Sequence, residues 1–143
     1  MYIGKQSIKI NQQLMQVYNI AKTYPVFVSF FRSGSRILSE DSTRLSVEVH
    51  SSLFGLPTSW RGEGIKRPSK AIRFTQTRGL FQGLVARWSF ISLNRGETKV
   101  TICTSFRKPL LTPIGEEFLG SLVVEKVTGK ILAELKRRCE QVS

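Results

Sequence analysis

Few side chains in this sequence have the chemistry that catalysis needs. His50 is the only histidine among the 143 residues, so a Ser-His-Asp triad would depend on it, and no G-x-S-x-G motif accompanies it. Leu45, Val47 and Val49 alternate with polar residues, and His50 continues the polar side, which predicts an exposed imidazole. The sequence therefore assigns no catalytic residue, and it leaves open whether the protein is an enzyme.

The sequence also has few residues that could form a metal or cofactor site. Cys103 and Cys139 are the only cysteines, and a zinc site built from cysteine and histidine needs about four ligands. The segment Gly62–Gly64 is too short to be a glycine-rich phosphate loop. We therefore expect no metal and no cofactor. We expect two packed free thiols, because a disulfide is rare in a reducing compartment.

One charged pair lies within a predicted strand. Arg61 and Glu63 share a strand face opposite Trp60, and they are expected to form a solvated ion pair, with Arg73 or Arg87 nearby.

Large aromatic side chains are the residues best suited to a function. They fall on the inward positions of successive predicted strands and on the predicted last helix. This first set comprises the aromatic residues Trp60, Phe74, Trp88, Phe90, Phe106 and Phe118, together with the aliphatic Leu122. Such side chains suit a pocket for an apolar ligand, because they offer much apolar area with few rotamers. The alternative is that they fill an ordinary core.

The charge is strongly positive. The chain has 22 lysines and arginines against 10 acidic residues, and its net charge is +12. Between Trp60 and Lys108 only Glu63 and Glu97 oppose the basic residues, which are Arg61, Lys66, Arg67, Lys70, Arg73, Arg78, Arg87, Arg95, Lys99, Arg107 and Lys108. A basic exterior of this kind attracts RNA, an anionic membrane surface or an acidic protein. The alternative is that the charge serves only solubility.

The elements that would position these residues follow from periodicity. Alternation predicts a first strand over Tyr2–Ile10, and helical spacing predicts a helix over Gln12–Lys22, capped by Asn11. Pro25 limits that helix. The apolar stretch Val26–Phe31 is either a second short helix or a buried corner.

Strands dominate the middle of the chain. Alternation predicts strands over 36–39, 45–50, 60–67, 72–75, 84–90 and 100–106. Predicted turns lie at Glu40–Ser42, at Gly55–Pro57 and at the hairpin Asn94–Gly96.

A long helix is predicted to end the chain. It extends from Pro113 to Gln141, with acidic residues in its first turn and basic residues in its last. Gly115, Gly120 and Gly129 within it indicate a bend or a close approach to the surface beneath. Strands followed by one helix indicate an α+β fold with an antiparallel sheet.

Two motifs make a family recognisable. Y-P-x-F at Tyr24–Phe27 and G-x-F-x-x-L-x-x-x-W-x-F at Gly79–Phe90 resemble the polyketide cyclase/dehydrase and coenzyme-Q-binding branch of the START-like superfamily, which includes the ribosome-association toxins. The resemblance covers nearly the whole chain, from Lys5 to Glu140, so we expect one domain over residues 1–143. It implies a helix-grip fold, in which a curved antiparallel sheet wraps the long C-terminal helix around an apolar cavity. It also adds Phe81 to the candidate ligand-binding residues.

This resemblance leaves three alternative functions open. The first is a carrier or chaperone for a hydrophobic small molecule, such as an isoprenoid quinone, a polyketide or a lipid. The others are a ribosome-associated regulator that uses the basic surface and a polyketide cyclase/aromatase. The first ten residues lack the apolar core of a signal peptide, so we expect a cytoplasmic protein, with attachment to a membrane surface as an alternative.

Overall fold

The computed structural model describes residues 2–22, 35–53, 56–78, 82–106 and 124–141, and for 35–37, 49, 51–53 and 56–60 it describes the backbone alone. The predictions for Val26–Phe31, Phe81, Phe118 and Leu122 lie outside the described residues, as do residues 113–123 of the predicted last helix. Trp60 is described by its backbone only.

Seven strands form one antiparallel sheet. They are β1 (Tyr2–Ile10), β2 (Ser35–Glu40), β3 (Arg44–Leu53), β4 (Leu56–Arg67), β5 (Ala71–Arg78), β6 (Val85–Asn94) and β7 (Glu97–Phe106). Their order across the sheet is β1-β7-β6-β5-β4-β3-β2. Consecutive strands from β2 to β7 are neighbours, and β1 pairs with β7 at the far edge.

Two helices of the described residues accompany the sheet. Helix α1 (Leu14–Ala21) follows β1, and α2 (Glu125–Glu140) is the last element. The fold is the predicted α+β helix-grip arrangement, a curved antiparallel sheet with the C-terminal helix against it. The described part of the predicted helix is confirmed by α2.

The capping prediction for α1 was wrong. The residue before the helix is Gln13, and Asn11 instead donates its backbone N–H to the Glu140 carboxylate at 3.0 Å. The Thr98 hydroxyl donates to the Gln12 carbonyl at 2.8 Å, which holds residues 11–13 against β7 before the helix begins. Long-range contacts therefore hold the residues just before α1 in place. Strand β4 likewise begins at Leu56, ahead of the expected Trp60, and Pro57 pairs with Ser52.

Helix α2 is attached along the length of β1. The Gln6 amide donates to the Glu125 carbonyl at 2.8 Å, and the Lys136 ammonium donates to the Lys9 carbonyl at 2.9 Å. A Cβ on Gly129 would lie 3.2 Å from the Gln6 amide oxygen. Gly129 therefore marks a close approach of the helix to the sheet, one of the two expectations for its glycines.

Candidate ligand-binding site

The inner face of the sheet carries two apolar clusters. The larger joins α1 and α2 to the middle strands, and its buried members are Ile10, Val17, Tyr18, Ala21, Leu45, Val47, Ile72, Trp88, Phe90, Val100, Ile102, Leu132, Leu135 and Cys139. The smaller comprises Tyr2, Leu84, Phe106 and Val124. Ala86, which is only partly buried, packs against both clusters. The two packed regions of the inner face therefore meet at Ala86.

Two of the predicted aromatic residues stack in the larger cluster. The rings of Trp88 and Phe90 have centroids 6.5 Å apart and an interplanar angle of 30°, and Tyr18 meets Phe90 edge-on at 5.4 Å. Trp88 keeps 3% of its surface exposed and Phe90 keeps 5%. Such burial is typical of packed core residues. Phe106 lies in the smaller cluster, apart from this pair.

Phe74 is in a different environment from these three residues. It points to the same inner face, opposite Ala86, yet it remains partly accessible. Its ring lies directly over the backbone of Gly62, where an added Cβ would fall 2.2 Å from a ring carbon. A Cβ on Gly64 would be 3.4 Å from the same ring. Two glycines in β4 thus make room for one aromatic ring on the inner face.

Gln76 continues the inner face of β5 and was not identified from the sequence. Its side-chain oxygen is buried and, within the described structure, accepts no hydrogen bond. A buried acceptor without a partner costs about 1–3 kcal/mol, and such groups are uncommon in folded proteins. The signal was present in the sequence, because Ile72, Phe74 and Gln76 share one side of an alternating strand.

A β-bulge in β5 determines which residue of β4 lies opposite Gln76. Arg61 pairs with Arg78, whereas the next residue, Gly62, pairs with Gln76, so Thr77 is the extra residue. The backbone N–H of Gln76 donates to the Leu84 carbonyl at 2.9 Å. Gln76 therefore lies between Gly62 and Leu84, beside Phe74 and next to the smaller cluster.

The polar residues singled out in the sequence lie elsewhere. His50 is exposed and contacts Glu48 at 2.9 Å, as expected for the polar side of β3. Arg61 pairs with Glu48 at 2.9 Å, which replaces the expected pair with Glu63. The physical reason is that directly opposite cross-strand residues are closer than residues two apart on one strand. Among the described residues no group of histidine, cysteine or acidic side chains could hold a metal ion.

Basic side chains line much of the outer face. Arg73 and Arg87 are directly opposite each other and both are exposed, and Arg87 is followed across the sheet by Cys103 and Lys5. Lys66 departs from the predicted exterior. Its side chain is 6% exposed, and its ammonium donates to the Asp41 carbonyl at 3.0 Å.

The cysteines differ from each other. Cys139 of α2 is buried in the larger cluster, and Cys103 on the outer face is half-buried. Burial, reinforced by the neighbouring Glu140 carboxylate, raises the pKa of the Cys139 thiol to about 11. Both thiols are free, as expected. Only Cys139 is also packed in the core, because Cys103 is half-buried.

Comparison with known proteins gives a family and a fold. A sequence model of the family described as "Polyketide cyclase / dehydrase and lipid transport" matches residues 11–130. A search of curated proteins gave no significant match. No helix in the described ranges is long and apolar enough to cross a membrane.

Solved structures resemble the whole chain at low sequence identity. The ZhuI aromatase/cyclase from a Streptomyces species is 16% identical, with a TM-score of 0.81 over 98% of this chain and 94% of that one. A Thermus thermophilus protein is 18% identical, with a TM-score of 0.76 over 99% of both chains. A START superfamily protein from Mycobacterium smegmatis is 16% identical, with a TM-score of 0.66 over both full chains.

Proposed function

Because the chain belongs to the polyketide cyclase/dehydrase and lipid transport family, we propose that it binds a hydrophobic small molecule between its sheet and α2 and carries or chaperones it. The ligand classes are an isoprenoid quinone, a polyketide or a lipid. In this proposal residues 1–143 act as one domain.

The observation that supports the proposal most directly is the contrast along the inner face. Trp88, Phe90 and Phe106 are packed as core residues, whereas Phe74 and Ala86 point inward and stay partly accessible. Gln76 adds a buried oxygen without a partner beside them. Ligand pockets combine an apolar lining with a few placed polar groups. We assign the ligand-contacting role to Phe74, Ala86 and Gln76, with Trp88 and Phe90 as supporting core.

A carrier is favoured over a catalyst by the polar groups near this site. The inner face around Phe74 offers the amides of Gln6 and Gln76 and the hydroxyl of Thr104, none of which titrates near neutral pH. General acid–base catalysis uses a group whose pKa lies near the working pH. His50, the only histidine, is exposed on β3. A polyketide cyclase and a ribosome-associated regulator are the competing functions that the experiment must separate.

The decisive experiment identifies what the purified protein carries. Native mass spectrometry followed by organic extraction should reveal a bound quinone, polyketide or lipid. Binding of a long-chain fatty acid and of an isoprenoid quinone should then quench tryptophan fluorescence in the parent protein. Absence of both a carried molecule and any binding would refute the proposal. Conversion of an added linear polyketide into a cyclic product would show that the protein is a cyclase. Ribosomal RNA that co-purifies with the protein would instead support the ribosome-associated regulator.

Phe74→Ala is the matched variant for this site. We expect affinity for the fatty acid to fall about tenfold, because part of an aromatic contact surface is lost. The fold should survive, since Phe74 is not fully buried. Ile65→Ala is the control, because Ile65 lies on the outer face of β4, 38% exposed and opposite Arg73. Equal loss of binding in both variants would place the ligand elsewhere.

A further inference from the structure

One end of the sheet presents aliphatic side chains to solvent. Ile91 is 53% exposed and Leu93 is 48% exposed, and both lie near the end of β6. Ile91 is directly opposite Lys99 on the outer face. The ladder shifts register between Ser92 and Asn94, so Leu93 is an extra residue that bulges from the strand. Neither side chain belongs to the two apolar clusters of the described core.

Cationic side chains surround this aliphatic pair. Lys99 is directly opposite Lys9 on β1, and Arg95 occupies the turn of the hairpin. The backbone N–H of Phe90 donates to the Lys70 carbonyl at 3.1 Å, and the N–H of Lys70 donates to the Arg67 carbonyl at 3.0 Å. These contacts bring the β4–β5 turn beside the end of β6. We call the exposed residues Lys9, Arg67, Lys70, Ile91, Leu93, Arg95 and Lys99 the hairpin-end surface.

This surface has little acidic compensation. Glu97 is the only carboxylate in β6, β7 and the turn between them. It is engaged by the Lys9 ammonium at 2.8 Å and by the Asn94 amide at 2.8 Å. The Asp41 and Glu40 groups at the same end of the sheet contact the buried Lys66. Within the described ranges no ion pair involves Arg67, Lys70, Arg95 or Lys99, so these four exposed cations are available to an anionic partner.

The combination of aliphatic and cationic groups identifies that partner. Single-stranded nucleic acid is bound by aromatic side chains that stack on the bases. The large apolar side chains exposed in the described structure are Ile3, Met15, Leu38, Ile65, Ile91 and Leu93, without an aromatic among them. Aliphatic side chains flanked by lysine and arginine are instead suited to the headgroup region of an anionic bilayer.

We propose that the hairpin-end surface docks the protein on anionic lipid membranes, with Ile91 and Leu93 entering the headgroup–acyl boundary and the cations contacting lipid phosphates. The hairpin-end surface lies on the outside of the sheet, so membrane docking does not depend on a ligand bound inside. If the proposed carrier function is correct, the membrane is also where the apolar ligand is exchanged.

The experiment measures sedimentation of the full chain with vesicles. Phosphatidylcholine vesicles containing phosphatidylglycerol are compared with vesicles of phosphatidylcholine alone. Binding is expected only to the anionic vesicles and should weaken as salt is raised. Ile91→Ser with Leu93→Ser should reduce binding about tenfold, and Arg95→Gln with Lys99→Gln should reduce it by roughly fivefold per charge.

Ile3→Ser with Leu38→Ser is the matched control. Ile3 is 72% exposed near the beginning of β1, at the opposite end of that strand from Lys9, and Leu38 is 39% exposed on β2. We expect unchanged vesicle binding in this variant. Absence of binding to anionic vesicles would overturn the proposal, as would equal losses in the aliphatic variant and the control. Binding of single-stranded RNA that is insensitive to Ile91 and Leu93, in place of vesicle binding, would do the same.

Discussion

Gln76 carries the most specific chemical information in the candidate site. Its amide oxygen is buried beside Phe74, and no hydrogen-bond donor of the described structure reaches it. A ligand that brings a hydroxyl group would satisfy this oxygen, whereas a pure hydrocarbon would leave it unpaired. Under the proposed function, we therefore expect Gln76 to favour ligands with at least one polar hydrogen.

Gln76→Leu should separate these ligand types. We expect affinity for a hydroxylated long-chain ligand to fall roughly 3- to 10-fold, because a net hydrogen bond contributes about 0.5–1.5 kcal/mol. Affinity for the matching hydrocarbon should hold or rise, and the melting temperature of the empty protein should rise. Gln82→Leu, at an exposed position, is the control. Parallel losses for both ligands would show that Gln76 supports packing only.

The two cysteines should react at very different rates. The thiol of Cys139 is buried and has a pKa raised to about 11, so it is protonated at neutral pH, and the thiolate is the reactive form. Cys103 is half-buried on the outer face. Iodoacetamide labelling followed by peptide mass spectrometry should modify Cys103 first in the native protein and both cysteines after unfolding. Equal labelling of the native protein would mean that α2 does not stay packed on the core.

The same thiol makes stability fall in alkaline solution. Its folded pKa lies above the unfolded value of about 8.5, so the fold favours the protonated form. This contribution is fully present below pH about 8.5 and is lost as the pH rises through about 11. In Cys139→Ala the melting temperature should fall less as the pH rises over that range. In Cys103→Ala the decline should match that of the parent protein.

At the scale of elements, β4 and β5 depend on a ring packed over a glycine. A Cβ on Gly62 would fall 2.2 Å and 2.4 Å from two carbons of the Phe74 ring, which is closer than atoms can approach. The ring must move or the strands must separate. Because Phe74 is also the proposed ligand contact, one added methyl group affects both stability and binding.

Gly62→Ala should therefore destabilise the fold by about 1–3 kcal/mol, the usual cost of overpacking. Gly96→Ala is the control, since an added Cβ there meets nothing within 4 Å. Urea unfolding measures both variants. Combining Gly62→Ala with Phe74→Leu should recover part of the loss, because the smaller side chain vacates the space. A Gly62→Ala protein as stable as the Gly96→Ala control would contradict the packing described for β4 and β5.

At the scale of the whole molecule, Glu140 and Glu97 connect elements that are distant in sequence, whereas Glu134 pairs within α2. Glu140 accepts hydrogen bonds from the Lys136 ammonium and from the Asn11 backbone N–H, and these bonds lower the pKa of its carboxyl group. Bonds from Lys9 and Asn94 lower the pKa of Glu97. Bonds from Arg137 and Arg138 lower the pKa of Glu134 to about 2. The ionised form of each of these three carboxyl groups therefore stabilises the folded state.

Acid should therefore destabilise the protein. The contributions are present above the ordinary glutamate pKa of about 4.3 and are lost as the pH falls through the lowered values, to about 2 for Glu134. Protonation also increases a net charge that is already +12, which adds repulsion. Melting temperatures should decline between pH about 4.5 and 2. Glu140→Gln should reduce the slope, and a flat profile would show that these bonds do not hold the ends together in solution.

Local patterns were enough to predict most of the fold. Alternation correctly identified β1 and the inward residues Leu45 and Val47, and Asn94–Gly96 correctly indicated the β6–β7 turn. Helical spacing identified α1 and the described part of α2. These signals are strong because apolar side chains must share one face wherever an element is half-buried, whatever its partners are.

The candidate site depends more on tertiary structure than the elements do. The aromatic set included Phe74 together with the core residues Trp88, Phe90 and Phe106, and periodicity could not separate a residue beside a space from one inside a packed cluster. The pattern does not single out Gln76, whose side-chain oxygen is buried without a partner in the described structure, and the expected ion pair between Arg61 and Glu63 is wrong. Ligand contact itself remains a prediction for all of these residues.

The sequence alone determined where most strands and the described helices lie and how basic the chain is, because each is a property of neighbouring residues or of composition. Only the tertiary structure decided that α1 starts after Gln13, that Glu48 meets Arg61, and that a bulge at Thr77 places Gln76 against Gly62. These facts depend on the register between strands. Register is set by the simultaneous packing of the whole inner face, so residues far apart in the chain fix it together, and no local segment of the sequence contains it.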